Sequence, residues 1–167
     1  MNLLHRAVPA MLVVLSHGAS ACQPQVQALS DAARREVIES VTAGMTSYAE
    51  ALSVLDSARV LGHYVAGPEF RLASDGNSYS YTDMQKIIGS VRAKLQSSGV
   101  RWDTVAVTVL GRDAAFVYAP FRRTDVDKAG AVTRIRGNAT WVWVRRDGTW
   151  HMLYGHGYHY PDTAMVR

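Results

Sequence analysis

In the first half of the chain, apolar residues recur every three or four positions; in the second half, every two. Val37, Val41, Met45, Tyr48, Leu52 and Leu55 form one helical stripe. Ser30 supplies an N-cap, with Asp31 in the first turn. A shorter helix over "DSARVLGHY" follows a bend near Asp56, and "GPEF" and "SDGNS" bracket a short strand from Phe70 to Ala73. "TDMQKIIGSVRAKLQSSG" predicts a second long helix. Thr82 and Gln85 make its capping box, Met84, Ile87, Ile88, Val91 and Leu95 its buried face, and Gly99 its end. Beyond Val100 the period is two. "WDTVAVTVLGRDAAFVYAPF" reads as two strands, and "VTRIRGNATWVWVRR" and "TWHMLYGHGYHY" as two more. Helices followed by an antiparallel meander predict an α+β domain with the helices packed on one face of the sheet.

The last two strands meet at Asp147-Gly148, a strong type I′ hairpin signal because both central positions need positive φ. That turn sets a register in which Arg146 faces Thr149, Trp143 faces Met152, Trp141 faces Tyr154 and Ala139 faces His156. One face then carries Trp141, Trp143, Trp150, Met152, Tyr154, His156 and Tyr158, and is the expected partner of the helices. The other carries Val142, Val144, His151, Leu153 and His159. A solvated face should be mostly polar, so the apolar Val142, Val144 and Leu153 predict a homodimer through this surface.

In that register His151 and His159 stand roughly 27 Å apart on one face while His156 points the other way. Zinc needs its ligands within about 2 Å of one ion, so no metal site is expected unless His63 and a helix carboxylate reach His156. His156 is either a core histidine satisfied by a hydroxyl or carbonyl, or a polar group in an apolar pocket able to move a proton. The sheet carboxylates Asp103, Asp113, Asp125, Asp127 and Asp147 fall at strand edges or turns, off the ring-rich face. Asp56 and Asp75 read as a helix cap and a turn residue that could approach a cavity mouth. No nucleophile-elbow or phosphate-loop motif is present, and no cofactor is expected.

The N-terminus follows another plan. Arg6, the apolar "AVPAMLVVL" and the small-residue "SHGASA" form the tripartite pattern of a secretory signal peptide over residues 1–21. The sole cysteine, Cys22, follows Ala19-Ser20-Ala21 in "ASAC", which resembles a bacterial lipobox with Ala19 in place of the usual leucine. Lipidation at Cys22 competes with a free N-terminal thiol. Residues 22–29 read as a tether, 30–162 as the domain and 163–167 as a tail. The 167 residues are 48% hydrophobic, enough for one domain with a real core. The net charge of +4 is scattered, and Arg6 leaves with the leader, so a solvated surface is expected rather than nucleic-acid binding.

The layout over about residues 30–160, ending in "GNATWVWVRRDGTWHMLYGHGYHY", resembles the SnoaL-like branch of the nuclear transport factor 2-like superfamily. The resemblance implies a cone: a strongly bent antiparallel sheet wrapped on about three N-terminal helices around a cavity. It also implies frequent homodimers, and functions ranging from polyketide cyclases, steroid isomerases and dehydratases to binding and assembly domains. The leading expectation is an exported, lipid-anchored domain that binds a small apolar or aromatic molecule through Tyr64, Tyr118, Trp141, Tyr154 and His156. Its place would be the periplasm or outer membrane of a Gram-negative source. Two alternatives stand beside it: a cyclase-, isomerase- or dehydratase-like enzyme with His156 as general base, and a non-catalytic assembly domain of the cell envelope.

Overall fold

The computed structural model describes residues 29–162. The leader, residues 22–28 of the tether with Cys22, and the 163–167 tail lie outside the described residues. Helix α1 spans Asp31–Ser53, capped by Ser30, whose hydroxyl accepts from the Ala33 N–H at 3.2 Å. Its stripe of Val37, Val41, Met45 and Tyr48 is buried. The chain turns at Leu55, which has a φ of 54°. Asp56 then caps the short helix α2, Ser57–Gly62, by accepting from the Arg59 N–H at 3.0 Å.

Strands β1 (Arg71–Ser74) and β2 (Asn77–Tyr79) form a hairpin turned at Asp75-Gly76. Helix α3 spans Tyr81–Lys94, two corrections to the expected boundaries. Its capping box is Ser80 with Asp83, not Thr82 with Gln85: the Ser80 hydroxyl accepts from the Asp83 N–H while the Asp83 carboxylate accepts from the Ser80 N–H at 2.9 Å. The helix also stops five residues before Gly99. Ser97, Ser98 and Gly99 are weaker helix formers than most of the residues before them, and the free edge of a later strand takes this segment up instead. Leu95–Trp102 is therefore strand β3.

Strands β4 (Ala106–Gly111), β5 (Ala114–Asp127), β6 (Val132–Arg146) and β7 (Thr149–Pro161) complete a seven-stranded curved sheet. Its order is β2-β1-β7-β6-β5-β3, with β4 sharing the β5 edge with β3. All neighbours are antiparallel except β1 and β7, which run parallel from Arg71 opposite Tyr154 to Ser74 opposite Gly157. The core lies between the concave face and the helices, with Trp143, Phe70, Met45 and Met152 fully buried. Gly44 lets α1 approach closely, since a Cβ there would lie 2.9 Å from the Trp143 ring.

The hairpin register follows the Asp147-Gly148 turn as far as Trp143 opposite Met152. It then shifts: Val142 faces Tyr154, so Leu153 has no partner across the ladder. This β-bulge reverses which side chains point inward for the rest of β7. Gly155 and Gly157 are buried, while Tyr154, His156 and Tyr158 face out.

Candidate active site in the cone

Between the concave sheet and α3 lies a cavity of about 280 Å³. One part of its wall is aromatic, with Trp102, Phe121 and Trp141 from the sheet, Tyr48 from α1 and Tyr64 from the segment after α2. The part formed by α3 is aliphatic, with Met84, Ile87, Ile88 and Val91. Tyr64 stacks over Trp141 with ring centres 6.1 Å apart. A Cβ at Gly155 would overlap the Trp141 ring, so glycine at this position makes room for the indole.

Of the residues expected at the pocket, the structure brings together Tyr64 and Trp141. Three others are displaced. Tyr118 is 42% exposed on the convex face, because β5 turns Val117, Ala119 and Phe121 inward and Tyr118 alternates with them. Tyr154 is 46% exposed, and His156 is exposed opposite Thr140; the bulge at Leu153 moves both to the convex face. The same shift carries His159 inward, onto the cavity wall. His63 does not approach His156; it lies beside Ser47 at 3.3 Å and against the rings of Tyr48 and Trp143. No cluster with metal-ligand geometry occurs among the described residues.

His159 is held from below. Its Nδ1 lies 2.8 Å from Asp75 Oδ2, and its backbone N–H donates to Asp75 Oδ1, also at 2.8 Å. The Ser74 hydroxyl donates to the same carboxylate at 3.0 Å. An ionised carboxylate only accepts, so Nδ1 carries the hydrogen and Nε2 is left as the basic nitrogen. Burial pushes the Asp75 carboxyl up, but the hydrogen bonds from the His159 backbone, the His159 ring and Ser74 outweigh it and hold the group below its ordinary range. The Phe121 ring packs edge-on to the imidazole, centres 5.3 Å apart.

The tyrosine pair makes a second polar station. Tyr48 and Tyr64 hydroxyls lie 2.6 Å apart and are buried. Burial raises both above the usual phenol value, so both stay protonated. One hydroxyl donates to the other, which keeps its own hydrogen to offer into the cavity.

A third station corrects the placing of Asp125 at a strand edge or turn. Strand β5 runs six residues past Phe121, and its inward positions continue through Arg123 and Asp125. Asp125 is 6% exposed, paired to Arg123 at 2.7 Å and accepting from the Ser98 hydroxyl at 2.7 Å. The strand's own alternation could have revealed this: Ala115, Val117, Ala119 and Phe121 predict inward side chains at 123 and 125. Gly155 and Gly157, alternating with Tyr154, His156 and Tyr158, likewise mark which side of β7 must be small.

No protein-family model and no curated protein sequence matches the chain. Solved structures do. A candidate scytalone dehydratase from Novosphingobium aromaticivorans superposes with a TM-score of 0.72 at 9% identity, covering 78% of this chain and 89% of the other. A nuclear transport factor 2-like superfamily protein from Salmonella enterica gives 0.69 at 16% identity, covering 80% and 98%. The fold is that of the nuclear transport factor 2-like superfamily. A hexachlorocyclohexane dehydrochlorinase, LinA type 2, shares it at 0.67 and 12% identity, covering 81% and 95%.

Proposed function

We propose that this nuclear transport factor 2-like domain binds a small, largely apolar molecule in its cavity and that His159 removes a proton from it. The observation that carries the reading is the Asp75–His159 pair at the cavity wall. Asp75 fixes the tautomer and orients the ring, leaving Nε2 free to take a proton from an activated C–H. The released electron pair moves onto an adjacent carbonyl, after which His159 returns the proton to another carbon to complete an isomerisation, or it forms a double bond as a group leaves the neighbouring carbon with its own electron pair, an elimination. The spare hydroxyl of the Tyr48–Tyr64 pair is suited to donate to the oxygen that gains charge. Dehydration and dehydrochlorination, for which two proteins of similar fold are named, are both eliminations. His159 thus takes the general-base role that the sequence had suggested for His156.

The test is C–H exchange of 2-tetralone in D₂O, followed by NMR. The native protein is expected to accelerate exchange of the α-protons over buffer, and His159→Gln to abolish the acceleration. No acceleration, or acceleration that survives His159→Gln, rejects the base assignment.

The SnoaL-like assignment rests on the strand, Asp147-Gly148, Trp150 and His156 pattern. Export and lipid anchoring at Cys22 rest on the "ASAC" junction. No helix among the described residues is long and apolar enough to cross a membrane. Loss of membrane partitioning in Cys22→Ser supports the anchor, and unchanged partitioning rejects it. A homodimer through the convex face is supported by the aromatic side chains that the bulge turns outward.

A further inference from the structure

The third station of the cavity is not needed for the proton transfer, and it is unbalanced. Arg123 and Arg92 both line the cavity, against one carboxylate, Asp125. Both Asp125 oxygens are engaged, one by Arg123 and the other by the Ser98 hydroxyl. Arg123 keeps donors to spare. Arg123 presents five N–H donors in a planar fork, and its buried Nε has no hydrogen-bond partner among the described residues. Two other residues of the lining carry a buried polar atom without a partner among the described residues, Trp141 at Nε1 and Ser57 at Oγ. An indole N–H can only donate, as can the guanidinium, and leaving such donors unmatched in an apolar enclosure is costly.

We propose that the cavity selects an apolar monocarboxylate, its carboxylate accepting from Arg123 and its body packed on the aromatic wall. The ionic balance decides for a carboxylate over an amine, because the acidic partner at this end is already paired and the excess charge is positive. It also decides against a purely hydrocarbon ligand, which would leave the spare Arg123 donors unmatched. At about 280 Å³ the cavity is at the small end of ligand sites, which suits a body of one or two rings. This inference rests on the reading of the cavity as a ligand site and names the class of ligand that site would take.

The experiment compares 2-naphthoate with 2-naphthamide, the same body without the charge, by calorimetry at pH 7.5. The acid is expected to bind the native protein at least about tenfold more tightly, as a charge-assisted hydrogen bond replaces a neutral one. In the native protein the Arg123 Nε–H resonance should move on adding the acid and not on adding the amide. Arg123→Met alone strands Asp125, so the double variant Arg123→Met, Asp125→Asn removes the pair together and leaves the net charge of the site as it was; it should bind both compounds within about twofold. Equal binding of acid and amide by the native protein, or an acid preference that persists in the folded double variant, overturns the carboxylate assignment while leaving the cavity reading intact. Binding of neither compound overturns both.

Discussion

The His159 imidazole and the Asp75 carboxylate meet at 2.8 Å across 84 positions of the chain. Asp75 sits in the left-handed region with a φ of 50°, at the tip of the β1–β2 hairpin, and so reaches β7 with both oxygens. Asp75→Ala removes two hydrogen bonds to His159 and one from Ser74. It is expected to lower stability by about 1 kcal/mol in urea denaturation, given the half-exposed carboxylate. In ¹⁵N NMR the same variant should lose the preference for hydrogen on Nδ1. A ring that keeps its tautomer without Asp75 would mean the carboxylate does not set it.

Acid should weaken the fold in two stages. Burial lowers the His63 pKa below the usual 6.5, helped by the positive charges of Arg59 and His151 and opposed by the hydrogen bond to Ser47. The folded state thus binds its proton less readily than the unfolded state. His63's contribution is full above pH 6.5 and is lost as the pH falls through the lower folded value. The depressed Asp75 carboxyl acts further down: its contribution is full above the ordinary aspartate value of 3.8 and disappears below it. Urea midpoints at pH 7.5 and 5.5 should differ in the native protein, and His63→Gln should narrow that difference. An unaltered difference would locate the acid sensitivity elsewhere.

Two glycines should respond with opposite signs. Gly155→Ala drives a methyl into the Trp141 ring and against the Leu72 side chain, and is expected to cost about 1–3 kcal/mol. Gly89 is exposed inside α3, with nothing within 4 Å of the added Cβ. Gly89→Ala should therefore stabilise by about 0.5–1 kcal/mol. Thermal melts of the two variants check both signs.

The convex face carries Phe116, Tyr118, Tyr154 and Tyr158, all exposed, beside half-buried Val142, Val144 and Leu153. An aromatic surface of this kind on a sheet is expected to pair with a second copy. Sedimentation should show a dimer at micromolar concentration, and Tyr154→Glu should shift it to monomer. A native monomer would remove the dimer from consideration.

Period and turn chemistry revealed the helices and the hairpin because each depends on neighbours in sequence. The α1 stripe and the pairing from Arg146–Thr149 to Trp143–Met152 follow directly from those local signals. The site was less legible because one unpaired residue, Leu153, decides it. A bulge depends on how β7 fits β1 and the helices at once, and strict alternation carries no trace of that fit. Extending the alternation past it put His156 inside and His159 outside, the reverse of the structure. Leu95 failed differently: its apolar spacing continues the α3 stripe, yet pairing with the far half of β5 overrides the local helical period. Asp125 was missed because the strand was read as ending at Phe121, whereas β5 continues to Asp127.

The position of β7 has a consequence for how the molecule comes into being. It is the last strand among the described residues, yet it lies between β1 and β6 in the sheet. Until it arrives, the hairpin bearing Asp75 has no ladder joining it to the β6–β5 half, and the imidazole it holds has not yet been synthesised. Assembly therefore waits on the final dozen residues of the domain, and long-range closure of this kind is slow. A chain released before Thr149 would not be a weaker version of the protein but two unjoined pieces of sheet, with the Trp141–Trp143 edge of β6 open to any strand that meets it.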